Sequence, residues 1–357
     1  MNEKGKNILP MIGFILIVAV LMGGFAMAKG FGKDGVFQRN KVSNNSKTRG
    51  STLSGYTIDD TGKATVSGMD KIAISAVSSE VNIEAHNSNE VEAHFHGKIT
   101  TLNKDALPYL EVLKEGKTII VRIVYPISTN VSISGGTWLD VKVPANWEDD
   151  LEIVTVSGTI SAPELKGRDI ELNTTSGEIK VKNIIGDQVQ MHSTSGSFNI
   201  GKLIAEDSFE KGSVSGSFEA DSIEAAEVKL GSTSGSTTIR NAVTEKVTST
   251  SISGSVQMNL QEGSAELSTT SGDLTVSFEK GFDTFKVNSV SGSVKLQLPG
   301  NSGFKVDLNT VSGDINCGDF SMKILSSGKN HLEAETGDGD GSVEVHTTSG
   351  DIRIQKR

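Results

Sequence analysis

Cysteine is nearly absent from this chain: Cys317 stands alone among 357 residues. That excludes an intrachain disulfide and a cysteine-built zinc cluster, and it is compatible with export. Aromatic residues make up only 5%, against 39 glycines. With abundant Ser, Thr and Val, this composition favours β structure with many turns over helices. Basic residues are scarce beyond the first fifty positions. Residues 1–50 hold 8 of the 34 Lys and Arg but only 2 of the 44 Asp and Glu, leaving 26 basic against 42 acidic, a net of −16 over the rest. An acidic body excludes nucleic acid as a partner, because phosphates demand a basic face.

What is present begins at the N-terminus. Lys4 and Lys6 precede an uncharged apolar stretch from Ile8 to Ala28, long enough to cross a bilayer as a helix. It ends in Ala26-Met27-Ala28, a pattern signal peptidase accepts. Residues 1–28 are therefore expected to be a transmembrane anchor or signal segment, with the membrane as a partner. Lys29, Lys33, Arg39, Lys41, Lys47 and Arg49 follow it. Counted alone, these favour a cytoplasmic body, whereas the signal-like layout favours an extracellular one, which is the expectation adopted. Residues 29–68 read as a flexible basic linker, 69–150 as a β-rich N-terminal cap module, and 151–357 as a solenoid.

The solenoid reading rests on Ser-Gly pairs with Ser at 157, 176, 195, 215, 234, 253, 271, 291, 312 and 349. The spacing holds near 19 residues until a final step of 37, which reads as one rung lacking the motif around "MKILSSGKNHLEA". Six residues before each Ser the column is entirely apolar. Four before, only Lys211 and Ser249 break it. Two before, every residue is Ser or Thr. After the pair the apolar parity moves to odd offsets, with Thr237 the only departure three residues on. A period of two that restarts out of phase is a strand that bends and continues with its apolar face inward. The predicted fold is thus all-β: a parallel β-helix (β-solenoid) of about 19-residue rungs, with Ser-Gly at a corner.

The residues that carry a resemblance are now assembled. "LDVKVPANWEDDLEIVTVSGTISAPEL", followed by "TTSGEIKVKN" and "TVSGDINCGD", resembles the bacterial adhesin-type family of β-strand repeats, which includes LiaG-like membrane-anchored proteins of Gram-positive bacteria. The resemblance covers roughly residues 70–357. It implies a repeat fold and a cell-envelope role. It implies no catalytic motif, and the adhesin label itself rests on shape.

Candidate chemistry is sparse. His94 and His96 share a strand face with Glu92, a partial metal-ligand pattern, but same-face neighbours about 6.6 Å apart converge poorly on one ion, so the face reads as exposed strand. "GDGDG" at 337–341 reads as an acidic turn, and Cys317 falls in an inward column as core. No catalytic residue, metal site or cofactor is expected. The outward columns beside the corner are uncharged, and Asn173, Thr175, Thr194, Thr233, Thr270, Asn288, Asn309 and Thr348 are taken as a ligand-facing stripe. The function expected is a non-enzymatic, membrane-anchored surface solenoid binding a cell-wall polymer, glycan or envelope protein. The alternatives are a carbohydrate-active β-helix enzyme or a cytoplasm-facing scaffold of a signalling system.

Overall fold

The computed structural model describes residues 36–39, 54–101, 104–126 and 135–357. The apolar segment 8–28 lies outside the described residues. Among the described residues no helix is long and apolar enough to cross a membrane. The structure is all-β and solenoid-like, its only helical turn being the 3-10 turn Lys104–Ala106 among the described residues. The described residues divide into two compact units, one holding those up to 166 together with 171–177, the other 167–170 together with 178–357.

In the second unit the expected repeat is realised as parallel ladders. Each strand pairs in register with its equivalent one repeat away: Phe198 opposite Phe218, Phe218 opposite Thr237, Thr237 opposite Val256, Val256 opposite Leu274. Hydrogen bonds continue through the corner itself. Gly235 N donates to Ser253 O at 3.1 Å, Gly254 N to Ser271 O at 3.1 Å and Gly272 N to Ser291 O at 3.1 Å. Gly254 shows why glycine is required. Its φ is 148°, and a Cβ there would lie inside contact distance of the Gly235 carbonyl in the adjacent rung. The parity switch predicted at this corner holds, since Val247, Ser249 and Ser251 are buried before it and Val256 and Met258 after it.

The chain ends do not follow sequence order. In the first unit, Lys71–Ala76 lies between Thr118–Val124 and Asp150–Thr155, parallel to both. Glu80–His86 is likewise flanked by Thr137–Pro144 and Ile160–Lys166. In the second unit, Gly341–Ser349 enters between Thr284–Ser291 and Phe304–Ser312, and Ile352–Lys356 between Val294–Leu298 and Ile315–Asn316. The 37-residue step is therefore not a rung without its motif. Residues expected there form an antiparallel hairpin, Lys323–Gly328 and His331–Thr336, laid on Phe304–Ser312. The two-residue loop Lys329-Asn330 reverses the chain, which a rung cannot accommodate but a hairpin demands.

Antiparallel strands also cover the outer side of the first unit. Tyr109–Glu115 pairs with Thr118–Val124. Glu90–Thr101 pairs with Thr137–Pro144 on one side and with Ser54–Thr65 on the other. Ser54–Thr65 in turn pairs with Val36–Arg39. Strand structure thus enters the 29–68 segment read as linker. Gly- and Ser-rich composition hides a strand when a full-length backbone partner supplies the pairing.

The buried polar groups separate into partnered and unpartnered. In the first unit Thr174 Oγ1 accepts from Gly177 N at 2.8 Å and Thr155 Oγ1 donates to Gly158 O at 3.0 Å. In the second, Ser251, Thr269, Ser289 and Thr347 bury their hydroxyls with no hydrogen-bond partner among the described residues. Lys211, which breaks an otherwise apolar column, is 1% exposed between Met191 and Leu230 of the adjoining rungs. Its Nζ donates to Ser213 Oγ at 2.8 Å and lies 5.9 Å from the ring centroids of Phe198 and Phe218. Burial lowers its pKa from 10.5 to about 8.

Five substitutions have expected outcomes. Lys211→Met raises stability near pH 7 by about 3 kcal/mol, the equivalent of the pKa displacement at about 1.4 kcal/mol per unit. Between pH 8 and 10.5 the unfolded chain keeps a proton that the folded chain has released. Wild-type stability therefore rises with pH across that window, and the advantage of the variant shrinks; urea melts at pH 7, 9 and 10.5 test this. Thr269→Val stabilises by about 1 kcal/mol, while Thr174→Val, which strands Gly177 N, costs about 1–2 kcal/mol. Gly254→Ala costs more than about 2 kcal/mol, whereas Gly281→Ala, where a Cβ meets nothing within 4 Å, changes stability by less than about 0.5 kcal/mol.

Candidate functional site

In the second unit the residue just before each corner Ser is half-buried or exposed, whereas Thr175 of the first unit buries its hydroxyl without a partner among the described residues. Following the register of the corner serines in the second unit, the order in space is Thr194, Val214, Thr233, Ile252, Thr270, Val290, Thr348 and Val311. Threonine and an aliphatic β-branched residue alternate without exception. In sequence order the alternation fails, because Val311 precedes Thr348. Insertion of the C-terminal rung restores it. Ile252, Val290 and Val311 are 53%, 52% and 69% exposed, so these side chains stand in solvent rather than packing inward. The flanking corner serines are exposed at every rung, as are Thr250, Ser268 and Asn288.

The residues expected to form a ligand-facing stripe differ in exposure. Thr270, Thr348 and Asn288 are exposed and Thr194 and Thr233 are half-buried. Asn309 is half-buried and committed to its neighbours: its Nδ2 donates to Asp307 Oδ1 at 2.6 Å, and its Oδ1 lies 2.8 Å from His331 Nδ1 on the covering hairpin. Asn173 and Thr175 belong to the first unit. Asn173 is only 4% exposed. Leu172, Asn173 and Thr174 are buried in succession, so outward alternation does not hold there, and Asn173 is not a surface residue. Val214, Ile252, Val290 and Val311 share the column with the expected threonines.

The ridge is uncharged, whereas a groove about half a rung further along the chain is strongly charged. At the inter-rung turns of the second unit a groove of about 950 Å³ is lined by Glu206, Glu224, Glu245, Glu262 and Asp283 with no basic side chain. Cys317 is buried, and burial pushes its thiol up to about 11, far from a reactive thiolate. Gly337 and Gly339 have φ of 59° and 70° in the turn between His331–Thr336 and Gly341–Ser349.

A second cluster lies on the antiparallel strands of the first unit. His94 and His96 stack with ring centroids 4.5 Å apart, and His96 stacks on Trp138 at 5.7 Å. His94 Nε2 lies 2.7 Å from Asp59 Oδ1, and His96 Nε2 lies 2.8 Å from Asp140 Oδ2. In the register, His94 is opposite Asp140 and His96 opposite Asp59, so both hydrogen bonds run diagonally. Asn82 Nδ2 donates to Asp140 Oδ1 at 2.8 Å. Partial burial pushes the Asp140 carboxyl up, but the hydrogen bonds from Asn82 and His96 outweigh it and hold the pKa below its ordinary value. One ligand atom each from His94, His96 and Asp140 lies within 4.8 Å of the others. Glu92, grouped with the histidines from sequence, is opposite Lys63 and Lys142 instead and does not join them. Asp140 and Asp59 were missed because only cross-strand register brings them to the histidines.

Solved structures similar to this chain include two proteins each named a "putative adhesin". The one from Parabacteroides merdae is 14% identical, with 71% of this chain and 99% of that chain covered and a TM-score of 0.45. The one from Parabacteroides distasonis is 9% identical, with 82% and 95% covered and a TM-score of 0.44. A "putative lipid binding protein" from Parabacteroides distasonis is 17% identical, with 67% and 96% covered and a TM-score of 0.43. No curated protein matches the chain. The family model described as Toastrack DUF4097 matches twice, over residues 69–210 and 202–355, and the chain belongs to that family.

Proposed function

We propose that this protein is a non-enzymatic binding or scaffold protein of the bacterial cell envelope, anchored by residues 8–28 with its body outside. In this reading the parallel ladders within each unit are β-helical turns, and the uncharged ridge of the second unit docks a polymer with a regular repeat. The single observation that carries the reading is the Thr–aliphatic alternation in spatial order. Rungs are about 4.8 Å apart, so like residues recur about every 9.6 Å, close to one extended disaccharide unit of a wall glycan. Hydroxyls and methyl faces at that interval match the alternation of polar edges and apolar ring faces along such a chain. An exposed apolar row on an otherwise acidic surface is also the kind of feature that marks a binding face. The body's negative charge favours a neutral polymer over a polyanion.

Two measurements test this. The purified full-length chain in detergent should co-sediment with insoluble wall glycan, and Ile252→Lys/Val290→Lys should weaken that binding by at least tenfold while melting as the wild type does. Undiminished binding by the double variant would remove the ridge from the interaction. Protease shaving of intact cells carrying an epitope tag after Arg357 should destroy the tag while a cytoplasmic control survives. A tag lost only after lysis would instead support the cytoplasm-facing scaffold that the basic residues after Ala28 favour.

A further inference from the structure

We infer that His94, His96 and Asp140 bind one divalent transition-metal ion of the zinc class, with Asp59 as the carboxylate that orients His94. Two imidazoles and a carboxylate form a donor set suited to Zn²⁺, Ni²⁺ or Cu²⁺ rather than to Ca²⁺ or Mg²⁺, which prefer all-oxygen sites. The donors lie within 4.8 Å of one another, and His96 and Asp140 already meet at 2.8 Å. Bonds of about 2.0–2.2 Å to a common ion place donors roughly 3.2–3.6 Å apart. The side chains to be gathered are 34–43% exposed and so free to rotate.

The surroundings are arranged as metal sites arrange theirs. Asn82 occupies Asp140 Oδ1 and leaves Oδ2 toward the histidines. Trp138 stacks on His96 and is itself fixed by donating Nε1 to Glu80 Oε2 at 3.0 Å. Asp59 pairs with His94 at 2.7 Å, the carboxylate–imidazole contact that sets ring orientation in such sites. Glu92, Lys63 and Lys142 lie beside the cluster along a groove of about 520 Å³ that also includes His94 and Asp140, so one face stays open to solvent or to a further ligand. The ion joins Glu90–Thr101 to Thr137–Pro144, and through Asp59 it reaches Ser54–Thr65. It therefore staples three neighbouring strands of the first unit, Ser54–Thr65, Glu90–Thr101 and Thr137–Pro144, that pair antiparallel in turn.

The test is equilibrium dialysis of the full-length chain in detergent, stripped with chelator, against Zn²⁺ alone. One Zn²⁺ per chain is expected, with a matching rise in Tm. His94→Asn, His96→Asn and Asp140→Asn should each weaken binding at least tenfold, Asn82→Ala by about tenfold, and His331→Asn not at all. On the unaltered chain, Cu²⁺ should quench the emission of Trp138, with Trp138→Phe identifying the quenched ring, and an excess of Ca²⁺ or Mg²⁺ should leave Zn²⁺ in place. Absence of saturable Zn²⁺ binding would overturn the proposal. So would binding that persists in the His94→Asn/His96→Asn double variant, or displacement by Ca²⁺, either of which would put the ion on the acidic surface.

Discussion

The structure depends on one steric constraint, the contact of glycine on glycine between adjacent rungs. From Gly216 to Gly292 and on to Gly350 and Gly313, the space a Cβ would need is taken by the carbonyl of the glycine in the next rung. Backbones this close can hydrogen-bond through the bend, as Gly292 N does to Ser349 O at 3.0 Å and Gly350 N to Ser312 O at 3.0 Å. Once the corners are pinned, the strands on either side have no freedom to slip. A slip of one residue would turn every buried side chain to solvent. The apolar columns, the buried hydroxyl column and the exposed ridge are therefore three consequences of the same contact.

A stack pinned in this way would still end in open edges that invite pairing with other chains. Both units answer this with the same device. The first and last rungs of the chain are each inserted one place inward, so both chain termini of the repeat lie between two parallel partners. The outermost parallel strands come from internal segments and are overlaid by antiparallel ones. Direction reversal ends the parallel ladder, because the next strand no longer presents the pattern of bonds a further rung would read. The outer hairpin strand Lys323–Gly328 is exposed along its whole length, and it takes the edge position in place of a repeat rung.

The repeat itself was legible in the sequence because each rung writes the same steric demand in the same column. Apolar residues at Val228, Val247, Ala265 and Phe285 and the hydroxyls two before each Ser fall where the columns place them. Even the exceptions were visible: Lys211, Ser249 and Thr237 are buried where their columns say. The ends were not legible. The inserted C-terminal rung carries the same Ser349-Gly350 motif as its neighbours, so nothing local distinguishes a rung that follows in sequence from one that follows in space. Ser54–Thr65 carries little alternation of its own and owes its conformation to Glu90–Thr101. Asp140 sits in "TWLDVKVP" with no sign of a histidine partner 44 residues away.

Those two kinds of strand also divide the chemistry. Parallel stacking repeats one residue position every rung, so it can build only periodic surfaces, and a ridge of alternating methyl and hydroxyl groups suits a periodic partner. Antiparallel pairing of strands far apart in sequence brings unlike residues together once, and once is what a coordination site needs. The insertion of the last rung links the two principles. By setting Thr348 between Val290 and Val311, it closes the stack against further growth and keeps the alternation intact to its final member. A rung appended in simple sequence order would have put Val311 beside Val290 and broken the period at the end of the ridge. The topology that protects the edge is thus the same topology that makes the surface regular.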